Sequence, residues 1–556
     1  MKQEIEKIIC LAIFIIISLF ISYQNFKVAF NYPIVFGDEG FHMTIARDLA
    51  NYKELFAYQK SYIDKVSKNG YTFTQYFHFF ESFLFLFGEN VAKIGLPITV
   101  FITALAIFIF ASIFFDYKVA LLSSILFQMF PSVVIYSTTF YADMHFTLFT
   151  ILSFFFVLFY FKTNDLKYLI TSSILIFLLL ISKPLLPYLI VASILFIFIF
   201  QYFKTKNKNL IIHFTIFVSI FSILFSSLLI RNLILFNSFC IETGIESLDK
   251  IIFSLFKNPK CSEVLYEHKP KYEFAARTEK IGSEQDMFSF GFKNYADFAY
   301  GYSIILLFSI FGLALQISNK QYEYFILFLP LFILIITQLI QNKLLTTGIF
   351  YRVEDTARYT LQYSPFIAIL FSYGIVNIIN SISNLFKKKF YIIMISLFIV
   401  VLIVLLSEMY KPYSEKLDIM KKLKSFSSYF FEACNWVKNN LPKNVTLHSL
   451  WAYRVGYNCE RNVGGSGEIR LSKDLNYTLN LTKLFGVDYL FIEKFSIDPL
   501  NRRLTERYDL DWVEWLLTNK EHFEKVYENG IPIEQCIQFL KLGYPCDGVI
   551  IFKIIY

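Results

Sequence analysis

A chain of 556 residues that is 56% hydrophobic, 19% aromatic and only 17% charged does not have the balance of a soluble globular protein. Its net charge of +8 comes from lysines scattered through short segments between apolar runs, a distribution that argues against nucleic acid as a partner and fits membrane topology. The composition predicts a polytopic α-helical membrane protein in contact with lipid along most of its length.

The first apolar run, "IICLAIFIIISLFISY", is long enough to cross a bilayer and has no small-residue cleavage site after it, so it reads as a retained helix. A spanning helix needs about 20 apolar residues because its backbone must find its hydrogen bonds within the segment. On that criterion about 11 transmembrane helices are predicted, at 7–30, 91–114, 119–137, 144–161, 168–182, 185–203, 210–231, 299–317, 324–341, 359–380 and 390–409. Alternate short loops hold ten basic residues, Lys118, Lys162, Lys167, Lys204, Lys206, Lys208, Lys320 and Lys387 to Lys389. The opposite set holds four, Lys183, Lys343, Arg352 and Arg358. Basic residues favour the cytoplasmic side, so the N-terminus is expected in the cytoplasm and the C-terminus outside an integral cell membrane protein.

That topology puts 31–90, 232–298, 341–358 and everything after 410 on the outer face. Residues 1–410 form the expected membrane domain and 411–556 a small C-terminal α/β extracytoplasmic domain. In the first loop, "YTFTQYFHFFESFLFLF" mixes aromatic and polar residues as a helix lying in the membrane interface does. The tail carries helix-like "YFFEACNWVKNNL", then strand-like "NVTLHSLWAY", "VDYLFIEKF" and "GVIIFKIIY" separated by Gly, Pro and Asn. Of seven cysteines, Cys10 lies in the first span. Cys240, Cys261, Cys434, Cys459, Cys536 and Cys546 fall outside, where they can pair, Cys240 with Cys261 being the simplest local choice. Asn444, Asn476 and Asn480 begin glycosylation sequons in the tail.

Ionisable residues at membrane depth are costly, so they face a cavity or one another. Here they gather on the outer side: Asp38, Glu39 and His42 after the first span, Asp143 and His145 at the fourth, Lys183 in "ISKPLLP", Arg231 closing the seventh, and Arg352, Glu354, Asp355 and Arg358 before the tenth. Carboxylates that take a proton from an acceptor or hold a divalent cation, beside cations that bind a phosphate, are what glycosyl transfer from a lipid phosphate requires. Blander roles also fit. Glu39 suits the first turn of a helix and Asp143 an N-cap; Lys183 and Arg231 suit snorkelling helix ends; Arg358 suits an i,i+4 pair with Glu354.

Several of these stretches, in this order, resemble the GT-C membrane glycosyltransferases, especially the protein mannosyltransferase and aminoarabinose transferase branch. "DEGFHMTIARDLAN" is similar to that family's first-loop acidic motif and "YADMHFTLF" to its second. "SKPLLPYLI", "IRNLILFNSF" and "ARYTLQYSPFIAI" are similar to its later signatures, and "ACNWVKNNLPKNVTLHSLWAYRVGYNCERNVGG" to its exported domain. The resemblance implies transfer of a single sugar from a polyprenyl- or dolichyl-phosphate donor to a protein, lipid or glycan acceptor. It implies Asp38 as general base, with Glu39 and Asp143 in the catalytic group and Lys183, Arg231, Arg352 and Arg358 on the donor phosphate. The oligosaccharyltransferase branch implies instead a divalent cation, Mg or Mn, on Asp38, Asp143 and His145. Against that branch, "LWAYRVGY" stands where an acceptor motif with an aspartate is expected, and Ala452 replaces the aspartate. A lipid-linked sugar flippase is the non-enzymatic alternative, but transporters favour charges near the midplane and repeated halves.

Overall fold

The computed structural model describes residues 2–31, 37–52, 76–180, 185–236, 299–319, 361–385, 390–424, 427–464, 467–470, 473–498 and 508–556. The membrane part begins with α1 (Lys2–Asn31), α2 (Gly37–Tyr52), α3 (Tyr76–Phe85) and α4 (Glu89–Phe114). It continues through α5 (Tyr117–Met129), α6 (Pro131–Thr138), α7 (Asp143–Thr163), α8 (Leu166–Leu180), α9 (Leu185–Thr205) and α10 (Asn209–Phe236). After 299 come α11 (Ser303–Ser318), α12 (Ser364–Asn384, entered by a 3-10 turn at Leu361–Tyr363) and α13 (Phe390–Lys424). Six of these helices are long and apolar enough to cross a bilayer among the described residues, or seven if α5 and α6 make one crossing. Leu166–Leu180, Ile190–Thr205 and Ser303–Ser318 are apolar but shorter. The expected span 324–341 lies outside the described residues.

The span expected at 119–137 is broken rather than straight. Pro131 has no amide to donate and starts a new helix, so α5 and α6 meet at 61°. The break turns the chain sideways toward 139–142 and so decides where α7 begins.

Apolar side chains fill the interior, but a few buried polar contacts fix which helix meets which. Gln128 Nε2 on α5 donates to Ser18 Oγ on α1 at 2.7 Å, and the Tyr413 hydroxyl on α13 donates to Asn25 Oδ1 on α1 at 3.1 Å. At one end of the bundle Lys118, at the start of α5, forms an ion pair with Glu6 on α1. The opposite end carries α2, α3 and the start of α4. Helices α11 and α12 touch backbone to backbone at a glycine: a Cβ on Gly312 would lie 2.0 Å from the Leu370 carbonyl oxygen. With no hydrophobic drive between helices in lipid, such close approach supplies the packing.

Helix α13 runs on through 410 to Lys424 and delivers the chain to a mixed sheet. Here α14 (Ser428–Asn440), β1 (Thr446–His448), α15 (Ala452–Cys459), β2 (Asn462–Val463) and α16 (Leu475–Leu484) precede β3 (Tyr489–Glu493), β4 (Ile497–Asp498) and β5 (Tyr508–Asp509). Then follow α17 (Leu510–Thr518), β6 (Phe523–Gly530), α18 (Ile533–Lys541) and β7 (Gly548–Ile554). The five-stranded order is β2-β1-β3-β7-β6, with β1 parallel to β2 and β3, and β7 antiparallel to β3 and β6. Strands β3 and β7 are buried on both faces. Leu490, Ile492, Ile550 and Phe552 point to one core with Trp512 and Leu516, while Phe491, Val549 and Ile551 point to another with Phe430 and Val455. That explains why these stretches read as unbroken apolar runs.

The strand expected across "NVTLHSLWAY" stops at His448. Leu450 N donates to the Tyr508 hydroxyl and Trp451 N to Ser449 Oγ, so the ladder ends and α15 begins at Ala452. Among the described residues two disulfides are present, Cys434–Cys459 and Cys536–Cys546. Cys240 and Cys261 lie outside the described residues.

Two outcomes follow. Gly312→Val forces a methyl group into the Leu370 carbonyl and should cost about 1–3 kcal/mol, read as a lower melting temperature in detergent; unchanged melting would refute the close contact. His448 is buried and donates Nδ1–H to the Gly464 carbonyl at 3.1 Å, and burial pushes its imidazole down to about 4 from 6.5. The unfolded chain therefore binds the extra proton between those values. Stability is full above pH 6.5 and falls by about 3 kcal/mol as pH drops through 4. Unfolding of the sheet followed against pH should lose that slope in His448→Gln.

Candidate functional site

Helix α2 opens with Gly37, Asp38 and Glu39 and buries Met43, Ile45, Ala46 and Leu49. Acids in its first turn meet the positive end of the helix dipole. Glu39 is fully buried, and its Oε1 accepts a hydrogen bond from the Phe140 backbone N–H at 2.9 Å. Phe140 lies just past the end of α6, where no helical carbonyl takes its amide. One carboxylate from the first loop thus closes the backbone of the second acidic stretch, three residues before Asp143.

Asp143 is buried and is the first helical residue of α7; Ala142 occupies the cap position that the sequence suggested for the aspartate. His145, in the same first turn, is buried with Nε2 at 3.3 Å from Thr99 Oγ1 on α4. The Thr99 hydroxyl donates its own proton to the Gly95 carbonyl at 2.8 Å, so it accepts from His145 Nε2–H. That assignment of the tautomer leaves Nδ1 as the lone-pair nitrogen. The ring of Phe80 from α3 meets the imidazole edge-on at 5.0 Å between centroids.

The structure also pairs two histidines, His42 of the first loop and His78 of α3. His42 Nδ1 and His78 Nε2 stand 2.8 Å apart, both buried, with one proton shared between them. Tyr141 packs edge-on against His42 at 6.1 Å. The signal was present in helical spacing: His42 lies one turn after Asp38, on the same face of α2. Glu81, one turn after His78 on α3, is also fully buried, with both carboxylate oxygens lacking a hydrogen-bond partner among the described residues. Gly95 makes room for it; a Cβ there would meet Glu81 Oε1 at 2.8 Å.

Behind α2 stands α15 from the sheet domain. Arg47 Nη1 donates to the Tyr457 carbonyl at 3.2 Å, and its guanidinium lies over the Tyr457 ring at 5.0 Å. Arg454 turns inward. It binds Glu493 at 2.5 Å and is surrounded by Phe430, Trp451 and Phe495. Its role there is to hold the domain together.

The backbone of Asp38 belongs to the first turn of α2 and that of Arg231 to α10, but their side chains are outside the description. Lys183, Arg352 and Arg358 lie outside the described residues. Among the described residues no three His, Cys, Asp or Glu side chains form a metal-holding group. Asp143 and His145 bring oxygen and imidazole donors of the kind divalent ions take.

Residues 75–230 match the family model of dolichyl-phosphate-mannose-protein mannosyltransferase. Comparison with curated protein sequences finds no match. Among solved structures, the oligosaccharyltransferase of Archaeoglobus fulgidus in complex with Zn and sulfate is similar over 97% of this chain and 88% of its own, with a TM-score of 0.62 and 11% identity. The same archaeal protein with an inhibitory peptide and a dolichol-phosphate gives 0.59 at 10% identity over 98% and 88%. The protein ArnT of Cupriavidus metallidurans, bound to undecaprenyl phosphate, gives 0.52 at 9% identity over 98% and 97%. The GT-C fold expected from the order of the motifs is therefore the fold of this chain.

Glu39→Ala should strand the buried Phe140 amide at a cost of about 1–3 kcal/mol, whereas Glu39→Gln keeps an acceptor and most of the stability. Melting temperatures of the two variants check this. Equal loss in both would mean that the charge, rather than the hydrogen bond, matters.

Proposed function

We propose that this chain is a GT-C membrane glycosyltransferase that moves one sugar from a polyprenyl- or dolichyl-phosphate donor to a protein, lipid or glycan acceptor on the outer face. The observation that carries the reading is the Glu39–Phe140 hydrogen bond, which holds the turn bearing Asp38 against the start of α7 bearing Asp143. Supporting it are the shared fold and the lipid phosphates bound by both neighbours. The sidedness rests on the basic residues, with Lys118 and Glu6 at the cytoplasmic end and α2 and the sheet domain at the other.

In this reading the Asp38 carboxylate takes the proton of the acceptor hydroxyl or amine as the heteroatom forms its bond to the anomeric carbon. The bond from that carbon to the phosphate oxygen breaks, and its electron pair leaves with the phosphate. Lys183, Arg231, Arg352 and Arg358 carry positive charge to the departing anion, Arg in bidentate fashion. Buried surroundings strengthen each of these interactions by lowering the local dielectric.

A divalent cation, if bound, would be held by Asp38, Asp143 and His145 and would neutralise charge on the donor phosphate. The tautomer set by Thr99 gives His145 a lone-pair nitrogen suited to that role. The competing reading, oligosaccharide transfer, draws on the likeness to the archaeal enzyme, in a structure with Zn. Ala452 and the inward-turned Arg454 weigh against it, because "LWAYRVGY", where an acceptor motif is expected, lacks that motif's carboxylate.

Transfer of labelled sugar from lipid-monophosphate donors by purified protein, with and without chelator, tests the proposal. Asp38→Asn should lower turnover by about 100-fold or more, the range for loss of a positioned base. Asp143→Asn should lower it too, and a chelator-sensitive wild type would assign both residues to a metal. Activity only with diphosphate-linked oligosaccharides would favour the competing reading. An active protein indifferent to both substitutions would remove the site.

A further inference from the structure

We propose that Arg47 and Tyr457 are positioning residues: helix α15 of the sheet domain is a backstop that presses α2 against the membrane helices and so holds Asp38 in place. This rests on the glycosyltransferase reading for what Asp38 does, but not for the mechanical coupling itself.

The geometry points to a two-sided clamp. Nine residues separate Asp38 from Arg47, and at about 100° per residue that is two and a half turns, so Arg47 lies on the face of α2 opposite Asp38. On the Asp38 side His42 is tied to His78, and on the flank between the two faces Glu39 is tied to Phe140. On the back, half-buried Arg47 binds the carbonyl of buried Tyr457 and stacks on its ring. Glu89, the first residue of α4, sits beside the Tyr457 hydroxyl; burial, then that carboxylate, push the phenol well above its usual range, so it stays protonated.

A backstop must itself be anchored, and α15 is anchored at its C-terminal end, two residues beyond Tyr457. Its last residue, Cys459, is bonded to Cys434 on α14. Lys438 pairs with Glu460 at 2.7 Å. Arg461 donates to the carbonyls of Val437, Lys438 and Leu441, which closes the C-terminus of α14. Further back, Arg454 and Glu493 fix α15 to β3. A continuous set of contacts therefore runs from the sheet through α15 to the helix that begins with the proposed base. Displacement of a reacting group by about 1 Å can cost 100-fold in rate, so a loosened α2 would be felt in turnover before binding.

The experiment compares Tyr457→Ala, Tyr457→Phe, Arg47→Ala and the paired Cys434→Ser/Cys459→Ser variant with wild type in the full-length protein. Hydrogen exchange at the amides of 42–50 is read together with sugar transfer from a lipid-monophosphate donor. Tyr457→Ala and Arg47→Ala should speed exchange in α2 and lower kcat by about tenfold, with donor KM within about twofold and the melting temperature of the membrane helices unchanged. Tyr457→Phe keeps the ring beneath the guanidinium and should restore both. The cysteine variant should show a smaller effect, because Arg461 and Lys438 remain. Unchanged exchange in α2 overturns the backstop, and faster exchange with unchanged kcat overturns its positioning role. Loss of kcat that only tracks loss of fold, in Tyr457→Phe as well, also overturns it. If the wild-type protein transfers no sugar, the functional reading fails while the exchange data still decide the coupling.

Discussion

A buried carboxylate that accepts a backbone amide is the contact on which the arrangement depends. In a bundle surrounded by lipid, an amide without a partner costs several kcal/mol, and so does an isolated carboxylate. Glu39 and the Phe140 amide solve both problems at once. The solution requires the first turn of α2 to lie at the end of α6, and it fixes two stretches about a hundred residues apart. The kink at Pro131 is the other half of the constraint, because without it α6 would not carry Phe140 sideways to that place.

Around this contact the polar groups divide by task. His42 with His78, Glu39 with Phe140 and His145 with Thr99 hold helices α2, α3, α4 and α7 to one another. These contacts set the first turns of α2 and α7, which carry Asp38 and Asp143, at the same end of the bundle. The sheet domain contributes no acid or base to that junction among its described contacts. Its contribution is a rigid face, with Arg454 and Glu493 inside and Tyr457 toward α2. A short helix such as α2 needs support from both sides, since a helix of 16 residues has little stability of its own.

Much of this was legible in the residues. Apolar runs of spanning length, the broad positions of most helices and the three apolar strands follow from spacing and composition, because lipid and a two-faced core each impose a pattern on sequence. Counting spans also led to the expectation that the first and second acidic stretches lie near each other, and the Glu39–Phe140 contact joins those two stretches. What misled was local. "LWAY" reads as strand by composition but begins a helix once Tyr508 and Ser449 end the ladder. Asp143 reads as a cap but takes the first helical position.

By itself the sequence determined the membrane class, the order of the apolar runs and the segments in which costly charges fall. These depend on periodicity and on the cost of burying charge, both of which act residue by residue. Only the tertiary structure decided which carboxylate serves the backbone, which histidines pair and which face of α2 the sheet domain grips. Those outcomes depend on separations of a few ångströms between segments distant in the chain, and hydrogen bonding at that range leaves no periodic trace in either segment.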